Sequence, residues 1–373
     1  MKKQILVVVR WPLGGIRTYM RYVFRHFPSE YNLTILASST QEDAAISKDA
    51  EECGAKLLLV RSGGTGTFVY EIFKELQKNK YKLILSQGFI SAVAVCIANF
   101  FGRTSHILTI HGIVEPKYFI GRFAGVKKFI LAKMLKRVSV LYGVSNDILD
   151  HLYEQFPDLK INGPSSVVIP NGIELTDLAI TTNHPINLRD TFNIEPSTFL
   201  FGFFGRFMHQ KGFDLLIQAV DILKQQNDIR SFAVVAVGSG DYIRELQQSI
   251  RELGLEQYFH FLPFQPQVHQ LYKQVDVIVA PSRWEACPLL PMEALCLGVP
   301  LIASDCIGLR ETISETPAMV FPTENLAALL DVMRECMVNN NADIFKQFIP
   351  CAKERYNVIN TAQQVIQLVE KAF

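Results

Sequence analysis

Four side chains in the second half of the sequence have the types and spacing to handle an anion and the hydroxyls beside it: Arg206, Lys211, Glu285 and Glu293. The two acids lie in A-P-S-R-W-E-A-C-P-L-L-P-M-E-A-L-C-L-G-V-P, residues 280–300. An apolar strand, Val275–Ala280, leads into Pro281-Ser282, and a helix is expected to begin near Leu289 and to hold Glu293. A helix N-terminus presents unpaired backbone N–H groups and the positive end of the helix dipole, and both favour an anion. Acids placed there are poorly suited to a phosphate itself. They suit neutral hydroxyls on either side of it, such as a ribose at one end and a sugar at the other. Spacing alone is met equally well by solvated acids near a helix start. Arg206 ends G-F-F-G-R and Lys211 opens K-G-F-D, so both sit at a second strand-to-helix turn. A guanidinium fork and an ammonium point charge can clamp a diphosphate there.

Other motifs speak less. His111 stands at a strand end before Gly112, and taken alone such a histidine reads as structural. Gly238-Ser239-Gly240 and Gly64-Thr65-Gly66 follow strands, but Ile243 and Val69 occupy the place of the third glycine, so both read as tight turns. That incomplete fingerprint disfavours a nicotinamide oxidoreductase. The sequence has no Asp-x-Asp pair to hold a metal–diphosphate and no P-loop. Ser145 lacks the G-x-S-x-G elbow of a hydrolase.

The elements that must position these residues alternate. Strands are expected at Ile5–Val9, Leu33–Ala37, Lys56–Val60, Leu83–Ser86, Ile107–Ile110 and Val138–Tyr142, with Val167–Ile169 closing the first half. A helix is expected from about Thr18 to Phe27, after a loop holding Gly14-Gly15. A second series runs through Phe199–Phe204, Phe232–Val237, His260–Leu262, Val275–Ala280 and Leu301–Ala303. Short apolar runs separated by helical spacing indicate doubly wound parallel sheets, in which ligands sit beyond the carboxyl ends of the strands. The expected division is an N-terminal Rossmann-like domain, residues 1–172, and a C-terminal one, 173–355, facing a cleft. The polar stretch Thr181–Pro185 is read as the linker. A helix at about 356–373 is expected to dock back on the first domain.

Composition bounds the rest. A chain of 373 residues with 49% hydrophobic and 20% charged residues can bury two sizeable cores. Its net charge of +1 conceals a split, +9 over residues 1–172 and −8 over the remainder. The first half suits an anionic partner, whether nucleic acid, lipid head groups or an acidic glycan, with uneven but solvated surface charge as the other reading. Seven cysteines without a C-x-x-C pair point to a reducing cytosol rather than a disulfide framework or zinc site. Neither the short apolar run Ile5–Val9 nor Phe89–Phe101 is long enough to span a bilayer. Residues 117–137 carry seven Lys or Arg and no acid. On one continuous helix Phe119, Ile120, Phe123, Val126, Ile130, Leu131 and Met134 would share an arc opposite most of the cations. Lys117, Arg122, Lys127, Lys128, Lys133 and Lys136 are the candidate contacts to an anionic membrane. An ordinary core-facing helix with a basic outer face is the other reading.

Taken in order, these pieces resemble the GT-B family of retaining glycosyltransferases that use nucleotide-sugar donors. The resemblance spans nearly the whole chain and rests on Gly14-Gly15, His111-Gly112, Ile169-Pro170-Asn171-Gly172, Gly205-Arg206 with Lys211-Gly212, Gly238-Ser239-Gly240 and the pair Glu285/Glu293. The run from Glu293-Ala294-Leu295 to Ser304-Asp305 is also similar to the family pattern. The resemblance implies that Glu293 binds the ribose and Glu285 the donor sugar. Arg206 and Lys211 would neutralise the diphosphate with backbone N–H groups of Leu289 and Leu290, while Gly15, Gly205 and Gly238 line the donor. His111 would contact the sugar beside the reacting carbon. The implied co-substrate is a nucleotide diphosphate sugar, a UDP-sugar ahead of a GDP-sugar, with no cofactor, metal or nucleic acid. The implied acceptor is a glycan or a lipid-linked glycan of cell-surface polysaccharide or lipopolysaccharide, met at the inner face of the membrane. Ala286-Cys287-Pro288 departs from the family's usual Gly-Phe-Gly, and Pro288 and Pro291 supply no N–H. A sugar-nucleotide epimerase of the same fold and a non-catalytic glycan- or lipid-binding relative are the alternatives. Since the motif is expected to sit at a cleft, removal of Lys211 is expected to leave folding little affected.

With no Asp-x-Asp and two basic candidates for the diphosphate, sugar transfer is expected to continue in excess EDTA. Activity that vanishes on chelation and returns with Mg²⁺ or Mn²⁺ would contradict this.

Overall fold

A computed structural model describes residues 2–61, 63–102, 104–179, 186–226, 230–339 and 341–373, with the side chains of 116 and 117 excepted. It divides into two compact units, Met1–Gly172 with Val358–Phe373, and Ile173–Asn357. The linker expected at Thr181–Pro185 lies outside the described residues.

The first unit holds β1 (Lys3–Val9), β2 (Tyr31–Ser38), β3 (Lys56–Val60), β4 (Leu83–Gln87), β5 (Ser105–Ile110), β6 (Val140–Gly143) and β7 (Ser165–Val168). They form one parallel sheet in the order β3-β2-β1-β4-β5-β6-β7. Ile5 to Val9 are wholly buried, as a central parallel strand covered on both faces requires. On one face Leu6, Val8, Leu36 and Ile84 pack against Phe68, Ile72, Ala94 and Val95 of two crossover helices. The C-terminal helix Val358–Ala372 packs on the helix Gly14–Phe24. Its Thr361 hydroxyl donates to the Pro170 carbonyl at 2.9 Å, and Phe373 meets the Tyr31 ring at 6.0 Å.

The second unit holds β8 (Phe199–Phe204), β9 (Phe232–Val237), β10 (Phe259–Leu262), β11 (Val277–Ala280), β12 (Leu301–Ser304) and β13 (Met319–Phe321). Their parallel order is β10-β9-β8-β11-β12-β13. The three-residue β13 is too short to show a period in the sequence. Phe201, Phe203, Phe207 and Phe213 build an aromatic core with Phe259 and Phe261, with Phe203 and Phe213 only 4.6 Å apart. The strand order reverses between β1 and β4 in one sheet and between β8 and β11 in the other. At such a reversal the two outgoing chains diverge and leave a crevice beyond the strand ends.

Two local expectations are corrected. The helix expected from Thr18 begins at Gly14, so both glycines form its first turn rather than a loop. The basic segment is not one amphipathic helix. A 3-10 turn, Pro116–Phe119, precedes a separate helix, Ala124–Leu135, and Gly121 between them has φ +94°. The break takes Ile120 and Phe123 out of the expected arc, and apolar and basic residues interleave around the remaining helix.

Candidate active site

In the second unit, β8 and β11 run side by side, with Phe201 beside Val277 and Gly202 beside Ile278. Their outgoing loops therefore emerge together. The β8 loop turns through His209–Lys211 to Gly212, which has φ +65° and caps the helix Phe213–Leu223. A Cβ on Gly212 would lie 1.9 Å from the Pro281 carbonyl oxygen. Only glycine lets the β8 loop approach the β11 loop this closely.

That approach brings Lys211 to Glu285. Lys211 Nζ lies 2.6 Å from Glu285 Oε1, the Ser282 hydroxyl donates to the same oxygen at 2.7 Å, and Gln210 Nε2 donates to Oε2 at 3.3 Å. The Glu285 side chain is 9% exposed and that of Lys211 is 26% exposed. Three donors are needed because a carboxylate removed from water loses its hydration and must recover it from the protein. The Glu285 backbone N–H donates to the Ile307 carbonyl at 2.9 Å, tying the β11 and β12 loops together.

Arg283 locks this arrangement from below. Its guanidinium donates to both oxygens of Asp214, at 2.8 and 2.7 Å, to Glu324 at 2.8 Å and to the His209 carbonyl at 2.7 Å. Its backbone N–H reaches the Gln210 carbonyl at 2.8 Å. Burial pushes the Asp214 carboxyl upward, but the Arg283 bonds outweigh it and hold the acid below its usual range. The same pairing raises Arg283 further above its already high value.

The remaining residues of this unit stand as follows. Arg206 is exposed and makes no side-chain hydrogen bond or ion pair among the described residues. The Lys211 methylenes run past Gly205, with Cε 3.9 Å from where a Cβ would sit. Gly238 serves packing, since its Cβ would lie 1.9 Å from the Gly205 carbonyl oxygen. The helix Leu289–Cys296 starts at Leu289 and Leu290, with Pro288 as its cap and Pro291 contributing no N–H. Glu293, one turn on, accepts from the Tyr272 hydroxyl at 2.9 Å, and the Tyr272 ring packs on Phe204 at 4.7 Å. Glu285 and Glu293 thus have separate partners. Ser282, Gln210, Arg283, Asp214 and Tyr272 lay outside the sequence-derived set, although P-S-R and K-G-F-D stood in the same motifs.

In the first unit His111 follows β5, and its Nε2–H donates to the Gln87 side-chain oxygen at the end of β4, 2.7 Å away. The Tyr19 ring, on the helix Gly14–Phe24, meets the imidazole edge-on at 4.7 Å. Burial pushes His111 down to about 3, so the ring is neutral near pH 7 and Nδ1 remains an acceptor for a hydroxyl. Gly15 itself is exposed, with nothing within 4 Å of a Cβ placed on it. His106 is different: it is fully enclosed and bound to the Ser86 hydroxyl at 2.7 Å. Ser145 caps the helix Asn146–Gln155 by accepting from the Ile148 N–H.

Of the membrane candidates, Arg122, Lys127 and Lys133 are exposed. Lys128 lies 5.5 Å from the centre of the Phe156 ring, Lys136 is paired with Asp158, and the Lys117 side chain lies outside the described residues. Among the described residues no helix is long and apolar enough to cross a membrane, and no group of three or more His, Cys, Asp or Glu could hold a metal ion.

Residues 186–355 match the family model of glycosyl transferases group 1, and residues 13–177 match that of Glycosyltransferase Family 4. The chain belongs to the group 1 glycosyltransferases of GT-B fold. Among similar proteins are an uncharacterised glycosyltransferase, MJ1607, of Methanocaldococcus jannaschii (29% identical over 216 residues, 53% of this chain and 55% of that one). The lipopolysaccharide core biosynthesis mannosyltransferase LpsB of Rhizobium meliloti is 28% identical over 149 residues, 38% of this chain and 42% of that one. An Escherichia coli UDP-Gal:alpha-D-GlcNAc-diphosphoundecaprenol alpha-1,3-galactosyltransferase is 25% identical over 245 residues, 64% and 61% of the two chains. The matched segments thus span about half the length of these relatives. Anabaena Alr3699/HepE, solved in complex with UDP and glucose, shares the fold at TM-score 0.82 and 21% identity, covering 99% of this chain and 100% of that one.

The geometry revises the expectation that removing Lys211 leaves this glycosyltransferase's folding little affected. Lys211→Met strands a buried carboxylate and should destabilise the protein by about 1–3 kcal/mol. Adding Glu285→Gln should restore most of that loss. Chemical denaturation of both variants checks it, and an unchanged midpoint for Lys211→Met would contradict it.

Proposed function

We propose that this group 1 glycosyltransferase moves a hexose-type sugar from a nucleotide diphosphate donor to a glycan or lipid-linked acceptor. The setting we assign is assembly of lipopolysaccharide or another cell-surface polysaccharide. The observation that carries this reading is the cluster of Lys211, Glu285, Ser282 and Gln210 beyond β8 and β11, with exposed Arg206 on the same loop as Lys211. The relatives support the substrate class: one is named for UDP-Gal and a diphosphoundecaprenol acceptor, and others for lipopolysaccharide core and O-antigen biosynthesis.

In this reading Arg206 and Lys211 take up the charge that develops on the departing diphosphate. Their fixed cations do the electrostatic work that a divalent metal does elsewhere. The bond from the sugar's anomeric carbon to phosphate breaks while the acceptor oxygen bonds to that carbon from the same face, which retains configuration. The acceptor's proton passes to the leaving diphosphate. Glu285 holds sugar hydroxyls rather than attacking, since its oxygens already accept three hydrogen bonds. Glu293 holds the ribose, positioned by Tyr272. A UDP-sugar is favoured over a GDP-sugar.

The acceptor is assigned to the N-terminal unit. There Tyr118, Ile120, Phe123, Val126, Phe129 and Ile130 are all exposed beside Arg122, Lys127 and Lys133. Apolar side chains ringed by cations suit an anionic membrane surface, each cation adding about 1 kcal/mol. The enzyme is accordingly placed on the inner face of the membrane as a peripheral protein.

Arg206→Ala should lower kcat by about 100-fold or more, as removal of a transition-state charge partner does. Glu293→Ala should act mainly on donor KM. UDP should raise the melting temperature of the wild type more than GDP does. Wild-type kinetics for Arg206→Ala, with stabilisation by neither nucleotide, would refute the proposal.

A further inference from the structure

The helix Ala124–Leu135 packs on the helix Phe89–Ala98 and leaves a gap on another side. Between it and the Gln155–Leu159 segment lies a groove of about 260 Å³, floored by Phe129, Ala132, Phe156 and Leu159. Lys128 and Lys136 stand on its walls. Gly125 also lines it, and a Cβ there would meet nothing within 4 Å. The void is therefore real space beside a helix, not a consequence of tight backbone contact.

The groove is continuous with the exposed apolar surface, because Phe129 belongs to both and Val126 and Ile130 flank it on the same helix. Its chemistry selects among occupants. A second copy of this chain would bring one basic face against another, since residues 117–137 hold seven cations and no acid. The one acid at the groove, Asp158, is already answered by Lys136, which holds its carboxyl below the usual range. An apolar slot with cations on its rim fits a molecule with an alkyl chain and an anionic head.

We propose that this groove takes one acyl chain of an anionic phospholipid, with Lys128 and Lys136 at the lipid phosphate. The inference rests on the membrane-facing reading of the same surface, and it adds a discrete site to it. Lys128 over the Phe156 ring and Lys136 in an exposed pair with Asp158 are both free to turn, because neither contact is strong at the surface.

A lipid held as a monomer separates the groove from general adsorption. Dioctanoyl phosphatidylglycerol, kept below its critical micelle concentration, is titrated into the full chain by calorimetry, with glycerol 3-phosphate and dioctanoyl phosphatidylcholine in parallel. Saturable binding of the phosphatidylglycerol is expected, weaker binding of the phosphatidylcholine, and none of the head group alone. Gly125→Leu fills the groove without strain and removes a helix-weakening glycine, so the variant should fold. It should weaken phosphatidylglycerol binding about tenfold or more, the cost of keeping two or three methylenes from burial. Ala132→Leu, on the groove floor, should do the same.

Equal binding by wild type, Gly125→Leu and Ala132→Leu would overturn the site, as would binding of glycerol 3-phosphate as tight as that of the lipid. Equal affinity for phosphatidylcholine would overturn the role of the two lysines. Sedimentation with phosphatidylglycerol vesicles tests the parent reading separately. Wild type that pellets with vesicles but does not bind the monomer retains the surface and loses the groove. Monomer binding without vesicle association does the reverse.

Discussion

A carboxylate held out of water must have its charge answered within hydrogen-bond reach, and Glu285 is answered by residues from two different strand ends. Lys211 and Gln210 arrive on the loop after β8, and Ser282 on the loop after β11. The pairing exists because β8 and β11 are neighbours at the point where the strand order reverses. Gly212 then removes the one side chain that would keep the two loops apart. Arg283 and Asp214 supply the second tie, and the bidentate geometry fixes direction as well as distance. Around this pair the second unit reads as a frame: an aromatic core, a parallel sheet, and loops that meet where the core ends.

The pair also defines the chemistry available. Lys211 is not a free cation awaiting a phosphate, since its charge is shared with Glu285. In the proposed reaction an incoming diphosphate would compete for the ammonium, leaving the carboxylate to accept hydrogen bonds from neutral hydroxyls. Arg206, exposed on the same loop, has no such prior engagement among the described residues. The two cations thus differ in cost of use, although they stand five positions apart in one motif. His111 in the other unit is kept neutral by burial and oriented by Gln87, so it offers a hydrogen bond rather than a charge.

The first unit carries its positive charge beside unusually apolar surface. Leu135 is the only residue of the helix Ala124–Leu135 that is fully buried, whereas Phe129, Val126 and Ile130 face outward. What holds the helix is its packing on the helix Phe89–Ala98, where the Cys96 thiol donates to the Met134 carbonyl at 3.4 Å. Such a face departs from the ordinary division of apolar inside and polar outside, and an apolar medium next to it removes the conflict.

Local periodicity made most of the frame legible. Phe199–Phe204 and Phe232–Val237 are bounded as their apolar runs suggest, because a strand buried on both faces must be apolar throughout. The glycine and charge pattern of residues 202–214 and 280–305 likewise carried the family, since those residues are consecutive along the loops that form the site. Spacing could not show that Glu285 is buried, that Lys211 is its partner, or that Arg283 and Asp214 brace them. Those contacts join positions about 70 residues apart, and their distances are set by strand order rather than by sequence separation. Nor could a helical wheel find the break at Gly121, because a wheel assumes the continuity that a single positive φ abolishes. The sequence by itself determined which residue types reach the strand ends. Tertiary structure decided which of them touch, because only the packed sheets set the distances over which charge and hydrogen bonding act.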